Sequence, residues 1–523
     1  VNKMLETPAP PFVILNEYQR ESIRECYSYN SPQDCYTILT QNLDAGQKAL
    51  IHTGGQQDKS KWGTRNLERM LKARYPNKKI LRIDRKSVAQ PGHPAYGCIG
   101  NLNTVLANYD IVIMSPVVET GVSITCPGFD AVYGFASGSQ TVDAVGQSLE
   151  RYRLPVPRHI YVIKNAGQNF IGNGSTNPLS LAKGQKQLSK VQKRLLDADL
   201  HSTFELGIKS VHLDTWGIFA AHHNIGFQNY RATLYRLLKQ NGFKIQEVTL
   251  DDEMQNLALQ AKERAKDSAE LGHKQHCEAI ANAEIITDDW EYKELKNKRA
   301  KTEEEQLQEK ASMISRRYAT NSLTPALVDQ DSQRGWHSAI QLHYYVTVGR
   351  EYLSDRDKRR VQKLTETNKK VFEPDFNKTC LGVKIRVLEK IGVFDLLNGD
   401  RTFCQDDPDL IQWHHRVCGW APQVREALGI KVKRDPNATN NGPINVFKRL
   451  LNKLGLKLEC VGRKTTGSKC LIYKLKSINS DGRVEIFDRW LERDKNRRCV
   501  EPTLPTAEEA KNLDVDWFDA LIN

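Results

Sequence analysis

The 523-residue chain lacks several patterns that mark common classes of protein. No apolar run approaches the ~18–20 residues that span a bilayer, which excludes an integral membrane protein. The 11 cysteines include no Cys-x-x-Cys pair and no dense paired spacing. We therefore expect reduced, intracellular thiols. Residues 1–10 lack the basic-then-apolar order of a secretory signal, so we expect a cytoplasmic protein.

Two phosphate-binding motifs are also missing. The sequence contains no Gly-Lys dipeptide, so it has no Gly-x-x-x-x-Gly-Lys-[Ser/Thr] phosphate loop. No Gly-x-Gly-x-x-Gly follows an apolar strand-like run, which counts against an unrelated nucleotide-sugar or methyl-transfer enzyme. Chemistry on a nucleotide would therefore need a contribution from outside this chain.

The charge is positive and unevenly placed. Lys and Arg number 76 against 63 Asp and Glu, for a net charge of +13. Residues 420–480 carry 13 basic and 3 acidic side chains, whereas residues 246–310 carry 10 basic and 17 acidic ones. A basic chain of this size most often has an anionic partner, and we predict nucleic acid, with no membrane partner.

Apolar runs alternate with helical patterns between residues 46 and 165. This is typical of a parallel sheet covered on both faces, and it predicts one α/β domain. The predicted strands are 48–53, 79–84, 110–115, 129–135 and 159–164.

The rest of the chain divides by composition. The segments are an N-terminal piece (1–45) that could end a missing upstream domain, a helical domain with a possible helix-turn-helix (166–245), a charged helical arm (246–316), a mainly helical region (317–419), a basic domain (420–480) and a polar tail (481–523).

Two groups of residues could ligate a metal. Cys404, His414, His415 and Cys418 offer two thiolates and two imidazoles, and His273, His276 and Cys277 lie on a charged helical segment. Their spacing is irregular for a zinc site, and buried structural Cys and His explain them more simply. We predict no metal site.

The most informative motif is Ser-Pro-Val-Val-Glu-Thr-Gly-Val-Ser-Ile at 115–124, directly after an apolar strand. Small residues in a loop at the carboxyl end of a strand let backbone N–H groups approach a phosphate, which makes Thr120, Gly121 and Ser123 candidates for a phosphate loop. The alternative is an ordinary strand-to-helix turn.

A second motif, Gln-Ser-Leu-Glu-Arg-Tyr-Arg at 147–153, follows about 25 residues later and precedes another strand. Arginines on a helix beside a cleft can stabilise the charge of a transferring phosphoryl group. Surface arginines are the alternative.

Together the two motifs resemble those of the second RecA-like domain of superfamily 2 helicases, and most closely the origin-binding type that includes cyanobacterial plasmid replication proteins. The resemblance covers residues 45–165 and takes in Thr53-Gly54-Gly55 as a preceding loop. It implies a RecA-like fold, with Arg151 and Arg153 as arginine finger and sensor and Gln147 as a polar coupling residue. It also implies ATP and Mg²⁺ as cofactors and plasmid replication as the process.

The missing phosphate loop is the main departure from that family. We expect a partner domain or polypeptide to supply it, so ATP and Mg²⁺ would act only with that partner and the chain alone would not hydrolyse ATP.

The basic domain has the order of a winged helix, because a helical pattern at 443–454 precedes two strand-like runs at 457–462 and 469–475. Lys448, Arg449 and Lys453 would lie on the recognition helix. Arg463, Lys464 and Lys469 would lie in the wing. Origin duplex DNA is the expected partner, with single-stranded DNA as an alternative, and a solubilising basic surface is the competing explanation.

Two functions remain open. The chain is either the C-terminal portion of a helicase-like replication initiator or a non-enzymatic DNA-binding or scaffolding protein with a degenerate helicase domain.

Overall fold

A computed structural model describes residues 24–117, 122–196, 205–206, 210–367, 370–397, 401–464, 470–477 and 481–497. The described strands are β1 (Arg24–Tyr29), β2 (Ala49–Thr53), β3 (Ile80–Ile83), β4 (Ile111–Met114), β5 (Ala131–Ala136), β6 (Arg158–Val162), β7 (Glu205–Leu206), β8 (Phe243–Val248), β9 (Lys370–Val371), β10 (Thr402–Phe403), β11 (Leu458–Arg463) and β12 (Leu471–Leu475).

The described α-helices are α1 (Pro32–Asp44), α2 (Thr64–Arg74), α3 (Leu102–Leu106), α4 (Val142–Glu150), α5 (Pro178–Leu196), α6 (Ser210–Gln228), α7 (Tyr230–Gln240), α8 (Asp252–Asn282), α9 (Asp289–Asn297), α10 (Glu303–Tyr318), α11 (Pro325–Ser332), α12 (Trp336–Val346), α13 (Leu353–Thr367), α14 (Glu373–Thr379), α15 (Gly382–Lys390), α16 (Pro408–Gly419), α17 (Ala421–Leu428), α18 (Pro443–Lys453) and α19 (Arg483–Asn496). Within these residues no helix is both long and apolar enough to cross a membrane.

The centre of the molecule is a seven-stranded sheet in the order β3-β4-β2-β5-β6-β1-β8, and every pairing in it is parallel. Side chains alternate between its two faces. In β4, Val112 and Met114 join one apolar core, while Ile111 and Ile113 join the other. Burial on both faces explains the continuous apolar runs, and all five predicted strands are confirmed with ends shifted by a few residues.

The sheet extends beyond the range 46–165 that we predicted for it. Strand β1 lies in the segment assigned to a possible upstream domain, and β8 follows the segment assigned to a possible helix-turn-helix. Helix α7 buries Tyr230, Leu234 and Leu238 in the core on one face of the sheet. Helix α7 and strand β8 are therefore parts of the α/β layer.

Helix α8 is the charged helical segment, but it is packed rather than fully solvated. Ala258, Ala261, Ala265 and Ala269 form a buried stripe along it. Asn66 Nδ2 donates to the Ala265 carbonyl at 3.0 Å, which ties α2 to α8. This stripe of small side chains lets α8 lie close against the helices that cover the sheet.

The C-terminal half is a helical body with its own large core, which contains side chains of α10, α12 and α15–α19. Beside it lies a three-stranded antiparallel sheet in the order β10-β12-β11. Helix α18 and the β11–β12 hairpin confirm the predicted helix and strand pair.

The expectation that all cysteines are reduced is wrong at one place, because Cys404 and Cys470 form a disulfide. The two residues are 66 positions apart, so sequence spacing did not reveal that β10 and β12 are neighbours. Eight of the other cysteines are free in the described part of the chain.

Candidate functional site

The two helicase-like motifs meet at a short bridge between the loop after β4 and the turn that follows α4. Ile124 N donates to the Arg151 carbonyl at 2.9 Å, and Arg153 N donates to the Ile124 carbonyl at 3.0 Å. These bonds form a short parallel bridge between Ile124 and Tyr152. The bridge brings Arg153 Nε within 3.3 Å of Ser123 Oγ, where it donates a hydrogen bond.

The loop after β4 is also anchored from α3. Asn103 Oδ1 accepts from the backbone N–H groups of Thr125, at 2.8 Å, and Cys126, at 3.1 Å. Asn103 Nδ2 donates to the Ser123 carbonyl at 3.2 Å. The described end of the loop is therefore held on both sides. Thr120 and Gly121 lie outside the described residues.

A cavity of about 340 Å³, here called the arginine cleft, opens beside this bridge. Gln147, Arg151 and Arg153 line it together with Asp143 and Glu150. Gln147 and Arg153 are exposed, whereas Arg151 is buried at the C-terminal end of α4. The three residues predicted from the second motif therefore share one cavity.

Arg158, which the sequence analysis did not single out, holds the turn that presents the arginines. It is fully buried at the start of β6 and donates to four backbone carbonyls. The acceptors include Leu149, at 3.2 Å, and Tyr152, at 2.5 Å. The others are Leu154 and Val156. The sequence signal that could have identified Arg158 is a polar residue at the start of an apolar strand.

His52 lies at the end of β2 and is also buried. Burial lowers its pKa to about 3, with smaller contributions from the positive charges of Arg151 and Arg158. A neutral imidazole there adds no further positive charge beside the arginine cleft.

The residues after β2 were expected to form a loop. The Thr53 hydroxyl donates to the Trp62 carbonyl at 2.7 Å across this loop.

The three residues predicted for a recognition helix make different contacts. Lys448 Nζ lies 3.6 Å from the ring centroid of Tyr473, so it packs on the hairpin. Arg449 donates to the backbone carbonyls of Lys431, at 2.5 Å, and Asn445, at 3.2 Å. Lys453 is exposed at the end of α18.

Of the residues predicted for a wing, Arg463 and Lys464 are exposed at the end of β11, near the turn of the hairpin. Lys469 lies outside the described residues. Arg463 and Lys464 do not line the larger cavity described next. The structure therefore separates these hairpin cations from those at the end of α18.

The larger cavity, of about 830 Å³, is here called the basic cavity. Its lining comes from α11–α15, α17–α19 and the segments that follow α18 and β12. Among the described residues that line it, nine are Lys or Arg and only Asp481 is acidic. Arg449 and Lys453 are among the nine, together with Arg356 and Lys384, which the sequence analysis did not single out. These four residues lie in three different helices, α13, α15 and α18, so the local sequence gave no signal that they meet.

Cys404, His414, His415 and Cys418 do not form one group of side chains. Cys404 is bonded to Cys470, whereas His414 Nε2 lies 3.3 Å from Cys418 Sγ one helical turn away. Asn441 Nδ2 also donates to Cys418 Sγ, at 3.4 Å.

In the other group, His273 Nε2 lies 3.3 Å from Cys277 Sγ and 2.7 Å from Asp329 Oδ1. Lys59 Nζ lies 2.5 Å from the same carboxylate oxygen. The lysine already balances the carboxylate charge, so a hydrogen-bonded network explains this group.

Comparison with known proteins places part of the chain near helicases. No protein-family model matches it. An uncharacterized protein of Picosynechococcus sp. (strain ATCC 27264 / PCC 7002 / PR-6) is 36% identical over 495 residues, which is 93% of this chain and 48% of that protein. The chain thus spans about half the length of this relative.

A protein of African swine fever virus (strain Badajoz 1971 Vero-adapted), provisionally assigned by its name to a helicase/primase complex, is 28% identical over 162 residues. The match covers 31% of this chain and 15% of the viral protein. Domain 2 of the DEAD-box helicase Mss116p, solved with an RNA duplex, is 10% identical over 50% of this chain and 90% of its own, with a TM-score of 0.22. That score is too low to bear on the fold. The viral similarity supports a helicase-like origin for about a third of the chain.

Proposed function

We propose that the chain is the nucleic-acid-binding portion of a helicase-like protein that initiates plasmid replication. The observation that carries the proposal is the bridge at Ile124 and Tyr152, which joins the two helicase-like motifs and sets Arg153 against Ser123. The loop after β4 leaves that strand at its carboxyl end and meets, at the bridge, the turn between α4 and β6.

The arginine cleft fits one half of an ATP site. Guanidinium groups supply the positive charge that a transferring phosphoryl group requires, and Arg151 and Arg153 are the groups that would supply it. The cradle for the other phosphates is missing from the sequence, which has no Gly-Lys dipeptide. The proposal therefore assigns ATP and Mg²⁺ binding to this chain acting with a partner domain.

The DNA-binding part of the proposal rests on the C-terminal elements. The order α15, β10, α16, α17, α18 and the β11–β12 hairpin is compatible with a winged helix, and the third strand β10 pairs with β12 as a small sheet requires. Exposed Arg463 and Lys464 at the hairpin are the candidates for contacts with the phosphates of origin duplex DNA.

The duplex contact is tested with a charge-matched pair of variants. R463Q/K464Q removes two hairpin charges, and K262Q/K266Q removes two exposed charges from α8. We expect the hairpin variant to weaken duplex binding and to lower the slope of log K against log salt by about 1.8, at ~0.9 per phosphate contact. The α8 variant should bind as the wild type does. Equal binding by all three proteins would contradict a wing.

The ATP part is tested with the chain together with a partner polypeptide that carries a phosphate loop. R153A removes an exposed guanidinium from the arginine cleft, and R264A removes an exposed one from α8. We expect R153A to lower kcat for DNA-stimulated ATP hydrolysis by about 100-fold or more, since arginine fingers contribute ~10³–10⁵. R264A should retain wild-type kcat. Unchanged kcat in R153A would remove the arginine cleft from the ATP site.

If no partner polypeptide with a phosphate loop is found, the alternative function is favoured. The basic cavity supports that alternative, because its cations lie in the C-terminal body and need no nucleotide chemistry to bind a polyanion. The chain would then be a DNA-binding or scaffolding protein with a degenerate helicase domain.

A further inference from the structure

We propose that the basic cavity holds a single strand of nucleic acid, with Trp336 as a stacking surface for a base and Lys384 and Lys453 beside backbone phosphates. This inference rests on the nucleic-acid function proposed above and adds the form of the nucleic acid and its place in the fold. It differs from the wing, whose cations do not line the basic cavity.

The charge of the lining calls for an anion. Its one described carboxylate, Asp481, is already held by Arg483, whose Nε lies 3.0 Å from Asp481 Oδ1 and whose Nη2 lies 2.6 Å from Asp481 Oδ2. Lys476 pairs with Glu459 outside the lining, at 3.3 Å. Lys378, Lys453 and Lys457 also line the basic cavity and make no ion pair with the described residues. Phosphates would neutralise this concentration of positive charge and release counterions.

Lys384 is the cation on α15 that could contact a backbone phosphate. It makes no hydrogen bond or ion pair with the described residues, although it is partly buried on α15. Burial lowers its pKa, and the charges of Arg356 and Lys453 lower it further. The Asp357 carboxylate offsets this only in part, because it accepts hydrogen bonds from Leu381 N and Gly382 N and pairs with Arg356.

Trp336 supplies the aromatic surface that single-strand sites use. It is the first residue of α12, half-buried, and lines the basic cavity. Its ring centroid lies 5.7 Å from that of Tyr318, so the indole is fixed from behind. A positively charged groove combined with an aromatic stacking surface is the general design of single-strand binding sites.

The size of the basic cavity favours a strand over a duplex. Its volume of about 830 Å³ equals that of a cube about 9 Å on edge. The major groove of B-DNA alone is ~12 Å wide, so a duplex would lie across the basic cavity rather than inside it. A few linked nucleotides can enter it, with amide side chains such as Gln341 and Asn452 available to base edges.

The test is fluorescence anisotropy of the full chain with a labelled oligothymidylate of about 12 nucleotides, within the ~4–16 that single-strand sites cover. A matched duplex and thymidine monophosphate serve as competitors. The variants are K384Q/K453Q and W336L, and K262Q/K266Q is the charge-matched control. Because Lys384 is partly buried, K453Q/K457Q is the second cavity variant, and both of its positions are exposed.

We expect each double cavity variant to lower the slope of log K against log salt by about 1.4, at ~0.7 per contact with a single strand. W336L should weaken binding about ten-fold with no change in slope, since it removes stacking and no charge. The α8 control and R463Q/K464Q should bind the single strand as the wild type does.

Three results would overturn the inference, and they are distinguishable from failure of the proposed function. Wild-type affinity and slope in K453Q/K457Q, with W336L also unaffected, would remove the strand from the basic cavity while leaving nucleic-acid binding intact. Competition by thymidine monophosphate as strong as by the oligonucleotide would replace the strand with a nucleotide. A wild-type chain that binds neither strand nor duplex would contradict the proposed function as well.

Discussion

Buried arginine side chains organise the region around the arginine cleft. Arg158 has no solvent exposure and donates to four carbonyls of residues 149–156. Backbone carbonyls left unpaired by the end of α4 and the following turn are thereby satisfied. A planar guanidinium with five donors can reach several acceptors at once, which an ammonium cannot.

Replacing Arg158 with Lys should therefore destabilise the α/β layer by about 3 kcal/mol, because at least one pair of carbonyls loses its charge-assisted donors. Urea unfolding followed by circular dichroism measures the change. Exposed Arg264→Lys on α8 is the control and should unfold like the wild type. An unchanged midpoint in R158K would show that the carbonyl contacts contribute little.

The sequence alone identified some of the residues of the candidate site. Gln147, Arg151 and Arg153 were recognised as one motif, and Ser123 as part of another, but their contact at 3.3 Å depends on the bridge at Ile124 and Tyr152. A bridge between residues 28 positions apart leaves no mark in local sequence pattern. Arg356 and Lys384 were missed for the same reason.

Whole elements were predictable where burial was complete. Strands β2 to β6 read as apolar runs because both of their faces are covered. Strand β1 includes Arg24, Glu25 and Ser28, and edge strand β8 alternates polar and apolar side chains, so neither carries the pattern of a central parallel strand. Alanine is only weakly hydrophobic, so the sequence pattern did not indicate that α8 is packed.

The Cys404–Cys470 disulfide should stabilise the small antiparallel sheet. It closes a loop between positions 66 residues apart, for which chain entropy gives an upper value of about 4 kcal/mol. Dithiothreitol, or the double variant C404S/C470S, should lower the free energy of unfolding of the C-terminal body by about 2–4 kcal/mol. C460S is the control, since Cys460 is a free, exposed thiol on β11. Equal stability with and without reductant would contradict a structural role.

The whole molecule combines a sheet that carries the arginine cleft with a helical body that carries the basic cavity. Net charge alone predicted a nucleic-acid partner. The grouping of cations from α13, α15 and α18 around one volume depends on tertiary packing, which composition does not encode. The helix predicted at 443–454 is present as α18, yet Lys448 and Arg449 are partly committed to internal contacts.

Acid should destabilise the molecule well above the range in which carboxylates titrate. Burial lowers the pKa of His52 to about 3 and that of His159, His337 and His343 to about 4. These histidines stay neutral in the folded chain, whereas in the unfolded chain they take up protons below pH ~6.5. Stability is therefore fully present above pH ~6.5 and is lost as the pH falls toward 4.

At pH ~5.5 each of these histidines should lower the free energy of unfolding by about 1 kcal/mol. Urea titrations at several pH values measure the total. His343→Gln, which can still accept from Arg483, should remove about a quarter of the pH dependence. A flat profile between pH 7.5 and 5.5 would contradict neutral burial of these groups.

DNA-stimulated ATP hydrolysis tests the central claim most directly, measured for the purified chain alone and for the chain with a partner polypeptide that carries a phosphate loop. The sequence without a phosphate loop predicts no stimulated hydrolysis by the chain alone and hydrolysis that requires Arg153 once the other half is present. Robust DNA-stimulated hydrolysis by residues 1–523 alone would contradict the account.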